Sequence, residues 1–238
     1  MEDLNQKLKP YDFLVKYFNV GVTNVLSEYF DVKCCDKGYY WFTPWEGHCR
    51  KAFHLLAQKG TIYPIFWGYN FDFIPSRKDY GKFIYHRTEK AVAINFGDSV
   101  FRNIDYYSEK FTFKEKAEIR KKYFLHSYFT EDDCMNINDV ASAYKYIEEV
   151  IRNNIPFMLD FFNRVRTIDD MIAEMDKRIA AGNYPHWYAD NYNQHYYCKA
   201  FLLAYQKKMD EAIASLKMVY EDTPEDLMAK LEKVYAME

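Results

Sequence analysis

Glycine and proline are scarce in this chain, at 8 and 7 of 238 residues, and the glycines stand singly. No glycine-rich loop that could cradle a phosphate exists anywhere, which disfavours nucleotide binding. Positive charge is not in excess: 32 Lys and Arg against 35 Asp and Glu leave a formal net charge of -3. That balance offers no bulk attraction for nucleic acid or an anionic membrane surface. The densest basic stretch, FKEKAEIRKKYF (Phe113 to Phe124), interleaves Glu115 and Glu118 and reads as a solvated helix face. No apolar run is long enough to span a bilayer, and the opening MEDLNQKLKP lacks the shape of a signal peptide. The cysteines number 5, odd and without a secretory signal, which argues for reduced thiols. A cytoplasmic protein is the expectation. The wealth of Tyr, Phe, Asn, Lys and Ile matches an AT-rich coding genome, and a bacterial one is expected.

What is present is a globular composition, 49% apolar and 28% charged. A chain of this length makes one large domain or two small ones and buries about 70–75% of its surface. Helical spacing comes first. Pro10 suits a first turn, Phe13, Leu14, Tyr17 and Phe18 share a face, Asn19 and Gly21 interrupt, and Val22, Val25, Leu26, Tyr29 and Phe30 resume the period. GYYWFT (Gly38 to Thr43) is short and aromatic and predicts a strand, and HCRKAFHLLAQKG (His48 to Gly60) predicts a helix ended by Gly60. YPIFWGYNFDFIP (Tyr63 to Pro75) alternates. Ile65, Trp67, Tyr69, Phe71 and Phe73 point one way and Phe66, Gly68, Asn70 and Asp72 the other, as in an antiparallel strand with one buried side. KFIYH (Lys82 to His86) and AVAINF (Ala91 to Phe96), joined by RTEK, read as a hairpin.

Beyond about Phe111 no strand is expected. Val140, Tyr144, Ile147 and Ile151 form a helical stripe with Asn138 as N-cap; Pro156 breaks the run and starts a shorter helix through Phe162. TIDD (Thr167 to Asp170) resembles a capping box, followed by a stripe of Ile168, Met171, Ile172, Met175 and Ile179 closed by Gly182. A helical hairpin over Cys198 to Tyr220 follows. TPED (Thr223 to Asp226) then opens a last helix with Thr223 as cap. The fold class is therefore α+β: an N-terminal antiparallel sheet with flanking helices over residues 1–135, and an all-helical half of packed hairpins over residues 136–238. The boundary is soft, and the halves are expected to pack as one unit.

Five residues near the N-terminus have metal-ligand chemistry: Cys34, Cys35, His48, Cys49 and His54. Their spacing does not match a structural zinc site, and adjacent Cys34 and Cys35 on a strand point to opposite sides. No metal and no cofactor is assigned. Cys49 beside His48 offers a nucleophile, but neighbours on one helix diverge, so the base has to come from elsewhere, such as His86 or His126. GDS (Gly97 to Ser99) lacks the flanking glycine of a nucleophile elbow and reads as a turn in which Asp98 caps its own backbone. NYPHWYADNYNQHYYC (Asn183 to Cys198) mixes Trp187, Tyr188 and Tyr192 with His195 and several amides, a composition suited to contact with proteins or sugars. On the strand of Tyr63 to Pro75, Asn70 and Asp72 flank the gap left by Gly68 and offer a cleft wall, with His86 and Asp98 as further polar groups.

Two resemblances go with these residues. Tyr196 to Tyr220, with Ala200 and Ala204 on one arm and DEAI (Asp210 to Ile213) opening the other, resembles one tetratricopeptide-type hairpin, without that repeat's tryptophan and glycine. The order WGYNFDFIP, IPFMLDFFNRVRTIDDM and then the alanine-rich hairpin is similar to a bacterial family catalogued as a domain of unknown function. That resemblance implies an α+β half followed by helices and no catalytic residues. Without a catalytic constellation, the first functional expectation is a protein-binding module with no assigned enzyme activity. Its ligand- or partner-binding residues are Trp187, Tyr188, Tyr192, His195, Asn70, Asp72 and His86. The alternative is a small-molecule-binding protein or hydrolase-type enzyme with a cleft between the halves.

Overall fold

The computed structural model describes residues 3–7, 15–35, 39–56, 62–77, 83–126, 137, 139–182 and 194–237. Along the chain, α1 (Val15–Leu26) leads into β1 (Lys33–Cys35), β2 (Tyr40–Phe42) and β3 (Cys49–Leu55). Next come β4 (Ile62–Tyr63), β5 (Ile65–Phe71), β6 (Ser76–Arg77), β7 (Phe83–Ile84) and β8 (Phe96–Ser99). Helices α2 (Val100–Asn103) and α3 (Phe113–Tyr123) and the short β9 (Leu125–His126) precede a helical remainder. That remainder is α4 (Val140–Arg164), α5 (Ile168–Ala181), α6 (Gln194–Tyr205), α7 (Met209–Lys217) and α8 (Glu225–Tyr235). Five strands make one antiparallel sheet in the order β1-β2-β3-β5-β8, and β4 with β9 and β6 with β7 make two small pairs. The class is α+β, as its two hydrophobic rhythms predict.

Two compact units interleave along the chain. One takes residues 1–46, 50–68 and 97–160, the other residues 47–49, 69–96 and 161–238. The change of rhythm near residue 135 thus marks a change of secondary structure inside the first unit.

In the first unit, α1 lays Tyr17, Phe18, Val22, Val25 and Leu26 into the core. Contrary to the interruption expected at Asn19 and Gly21, the helix runs straight through both. The reason is a close approach of α4: a Cβ on Gly21 would sit 2.7 Å from Cγ2 of Ile147. Gly21→Ala should therefore lose about 1–3 kcal/mol to overpacking, despite the roughly 1 kcal/mol that alanine gains in helix propensity. In urea unfolding, Ile147→Ala should couple to it by at least about 0.5 kcal/mol, since it removes the clashing methyl. Strict additivity of the two would contradict this packing.

Three further expectations are corrected. His48 to Leu55 is not helical, because β3 occupies Cys49–Leu55 and pairs Ala52, Phe53 and His54 with Phe42, Trp41 and Tyr40. Its Arg50 is 3% exposed, with the guanidinium 4.6 Å from the Phe42 ring and 4.3 Å from that of Trp45. A buried cation held by two rings conceals the strand alternation, because arginine counts as polar in the pattern. β5 is buried on both faces rather than one, because Phe66 on one face meets the Phe101 ring of α2 and Tyr69 on the other meets Phe161 and Phe162 of α4. Pro156 does not break α4, which continues for 25 residues. A mid-helix proline costs about 3 kcal/mol, while buried Ile147, Val150, Ile151, Ile155 and Met158 each gain about 1.5–3 kcal/mol. Asn138 lies outside the described residues; Asp139 caps the helix, accepting from the Ser142 N–H at 2.7 Å.

The hairpin expected from Lys82–His86 and Ala91–Phe96 is not formed either. Phe83–Ile84 pairs instead with Ser76–Arg77, a single bridge joins Thr88 to Ala91, and of the second segment only Phe96 is in a strand. β9 is a short strand past Phe111 where none is expected. In contrast, α3 has no buried residue, as its charge pattern predicts. In the second unit the Thr167–Asp170 capping box is present, and Gly182 ends α5 at φ 60°. The buried face of α5 holds Met171, Met175 and, unforeseen, Arg178. The α8 cap is Pro224 rather than Thr223. No described helix is long and apolar enough to cross a membrane.

Candidate functional site

Two turns of the second unit bring together side chains 24 positions apart. His48 sits immediately before β3, after Gly47, whose φ of 60° lies in the left-handed region. Asp72 follows the last residue of β5. The Asp72 N–H donates to the His48 carbonyl at 3.1 Å, so the two backbones are tied directly. Over this tie, His48 Nδ1 lies 3.1 Å from Asp72 Oδ1 and 3.0 Å from Oδ2. With the proton on Nδ1 the imidazole donates to the carboxylate, and Nε2 keeps its lone pair. The pair is partly open to water, with side-chain exposures of 38% and 28%.

Aromatic rings stand beside the imidazole. Phe73 and Tyr205, the last residue of α6, stack with centroids 4.9 Å apart and planes 4° from parallel. The His48 ring meets both edge-on, at 6.2 Å and 5.8 Å. On the Asp72 side, Arg87 Nε donates to the Asp72 carbonyl at 2.5 Å, and its guanidinium lies 4.0 Å over the Tyr85 ring. An imidazole oriented by a carboxylate is the arrangement of a general base, and the nearby guanidinium adds a fixed positive charge.

The residues selected from the sequence fall in different places. Trp187, Tyr188 and Tyr192 lie outside the described residues. His195, on α6, is half-buried with its ring 6.1 Å from Phe96. Asn70 is fully buried: its Nδ2 donates to Asn95 Oδ1 at 3.1 Å, and the same oxygen accepts from the Phe71 N–H at 2.8 Å. It belongs to the scaffold beneath Asp72. The imidazole that Asp72 engages is that of His48, while His86 lies half-buried one position before Arg87. In the first unit, GDS is the end of strand β8 rather than a turn. Asp98 there accepts from the Ser99 N–H at 2.8 Å, as expected of it, and faces Arg102 Nε at 3.5 Å.

The metal-ligand types scatter as well. Cys34 is half-buried and Cys35 buried on β1, the opposite sides that a strand gives neighbours. His54 stacks on Tyr40 at 3.8 Å across the β2–β3 register. Among the described residues, no three His, Cys, Asp or Glu side chains gather where they could hold a metal ion. Cys198 on α6 is buried, which pushes its thiol up, and Cys49 nearby adds to the effect. The nucleophile reading of Cys49 with a remote base gains nothing from a second, protonated thiol beside it.

A second polar cluster in this unit is structural. Arg178, 4% exposed, lies over the Phe96 and Phe161 rings at 5.0 Å and 5.9 Å. Its Nε donates to Glu174 Oε1 at 2.8 Å, and Arg164 reaches Oε2 at 2.8 Å. Burial pushes the Glu174 carboxyl up, but the Arg178 and Arg164 charges outweigh it and the net direction is down.

No family model, curated protein or solved structure matches the chain.

Proposed function

We propose that the chain is a small-molecule-binding protein of hydrolase type whose chemistry is centred on Nε2 of His48. The observation that carries this reading is the His48–Asp72 pair, held by side chains and backbone at once and partly open to water. The chemistry follows from the tautomer. Nε2 takes a proton from a water molecule as its oxygen attacks an ester or phosphoester, and Asp72 stabilises the imidazolium that forms. The same proton then passes to the departing alcohol, which restores the neutral ring. Phe73 and Tyr205 restrict rotation of the ring and provide apolar surface beside it. Protein binding, the first expectation from composition, rests on Trp187, Tyr188 and Tyr192, which lie outside the described residues. The His48–Asp72 pair favours the alternative expectation, with the site inside one unit.

The test is hydrolysis of p-nitrophenyl acetate and p-nitrophenyl phosphate by the purified chain and by His48→Gln. A loss of about 100-fold or more in kcat/KM for at least one substrate is expected. A wild type no faster than buffer on either, or a variant as fast as the wild type, would contradict the reading.

A further inference from the structure

We infer that the ligand of this site carries an oxyanion, a carboxylate or a phosphate group, and that Arg87 holds it. This rests on the reading of His48 as the reacting group and names the class of molecule it would act on. Arg87 is held in position by its neighbours. A flexible arginine on a surface ordinarily spends much of its binding strength on being ordered. Here that ordering is already done. Nε donates to the Asp72 carbonyl at 2.5 Å, and the planar group lies 4.0 Å over Tyr85, yet the residue is exposed to solvent. The bridge between Thr88 and Ala91 starts one residue later and fixes the backbone behind it.

These two contacts use one N–H and one face of the guanidinium. The donors on its two terminal nitrogens form the fork that matches two oxygens of a carboxylate or phosphate. Among the described residues no carboxylate pairs with Arg87; the Asp72 carboxylate is engaged by His48. Asp72 joins the two functions: its side chain holds the imidazole and its carbonyl holds the guanidinium. A molecule anchored by its anionic group at Arg87 would thus place the rest of itself within reach of the residue that orients His48.

Nuclear magnetic resonance on the full chain tests this. The Arg87 Nε–H signal is followed during titration with inorganic phosphate and, separately, with acetate, against sodium chloride at matched ionic strength. A saturable shift beyond that of chloride is expected with at least one oxyanion, and the effective one tells phosphate from carboxylate recognition. Arg87→Gln should abolish saturation in the signals of neighbouring residues. Arg87→Lys, which keeps the charge but not the fork, should weaken it by about 10-fold, and it decides the matter if the Gln variant fails to fold. His48→Gln should leave anion binding unchanged, so a failure of the His48 chemistry and a failure of the anion site read separately. No saturation with either anion, or undiminished binding by the Arg87 variants, would overturn the inference.

Discussion

Asp72→Asn is expected to lower His48-dependent turnover by about 100-fold or more while leaving KM and thermal stability nearly unchanged. The size follows from what Asp72 does. The amide is nearly the same shape as the carboxylate but has no charge to stabilise the imidazolium. Its NH₂ group also donates toward Nδ1 and favours the tautomer with the proton on Nε2, where the base must be free. KM should hold because Asp72 acts through His48 and not on substrate. Stability should hold because both side chains are partly solvated, at 38% and 28% exposure, and such pairs are worth about 0–1 kcal/mol. Steady-state kinetics together with a melting curve reads both halves. A variant with full turnover would remove Asp72 from the mechanism, and one that melts far below the wild type would make it a structural residue.

The largest stability effect is expected at Trp41. Its side chain is fully buried on β2, and Nε1 donates to Thr23 Oγ1 of α1 at 2.8 Å. Thr23 in turn donates to the Asn19 carbonyl, so a buried ring, a side-chain bond and a helix turn are linked in series. Trp41→Ala should cost about 3–5 kcal/mol through the cavity it leaves, a large share of the roughly 5–15 kcal/mol that holds a domain folded. Thr23→Val keeps the volume and strands the indole N–H, for about 1–3 kcal/mol. Urea unfolding with an unchanged slope measures each. A loss below about 1 kcal/mol for Trp41→Ala would show that the first unit does not depend on this link between helix and sheet.

Several elements were legible because their local chemistry agrees with their surroundings. The alternation of Ile65 to Phe71 is a strand, Thr167 and Asp170 cap α5, and Gly182 ends it. Where the local pattern misleads, a long-range contact has overridden it. Gly21 reads as a break until Ile147 is placed against it. Pro156 reads as a stop until the apolar face of α4 is seen to be buried on either side. Arg50 makes β3 look helical because rings at 4.6 Å and 4.3 Å, not solvent, receive its charge.

That last misreading also hid the candidate site. On a helix, His48 has no reason to meet Asp72; at the start of a strand, tied by its carbonyl to the Asp72 N–H, it does. The polar residues of YNFDF were legible as a group. Their division was not, since the partner that draws Asn70 inside is Asn95, 25 positions away. Arg87 lies in the RTEK linker, where composition suggests only a turn, and its role depends on the Asp72 carbonyl.

The tautomer of His48 tests the central claim most directly. Long-range proton–nitrogen correlation of the imidazole, recorded where the ring is neutral, reports which nitrogen carries the proton. The prediction is a protonated Nδ1 and a bare Nε2 in the wild type, with Asp72→Asn shifting the proton toward Nε2. A wild-type ring protonated on Nε2 would contradict the claim, because the atom required to accept a proton would already hold one.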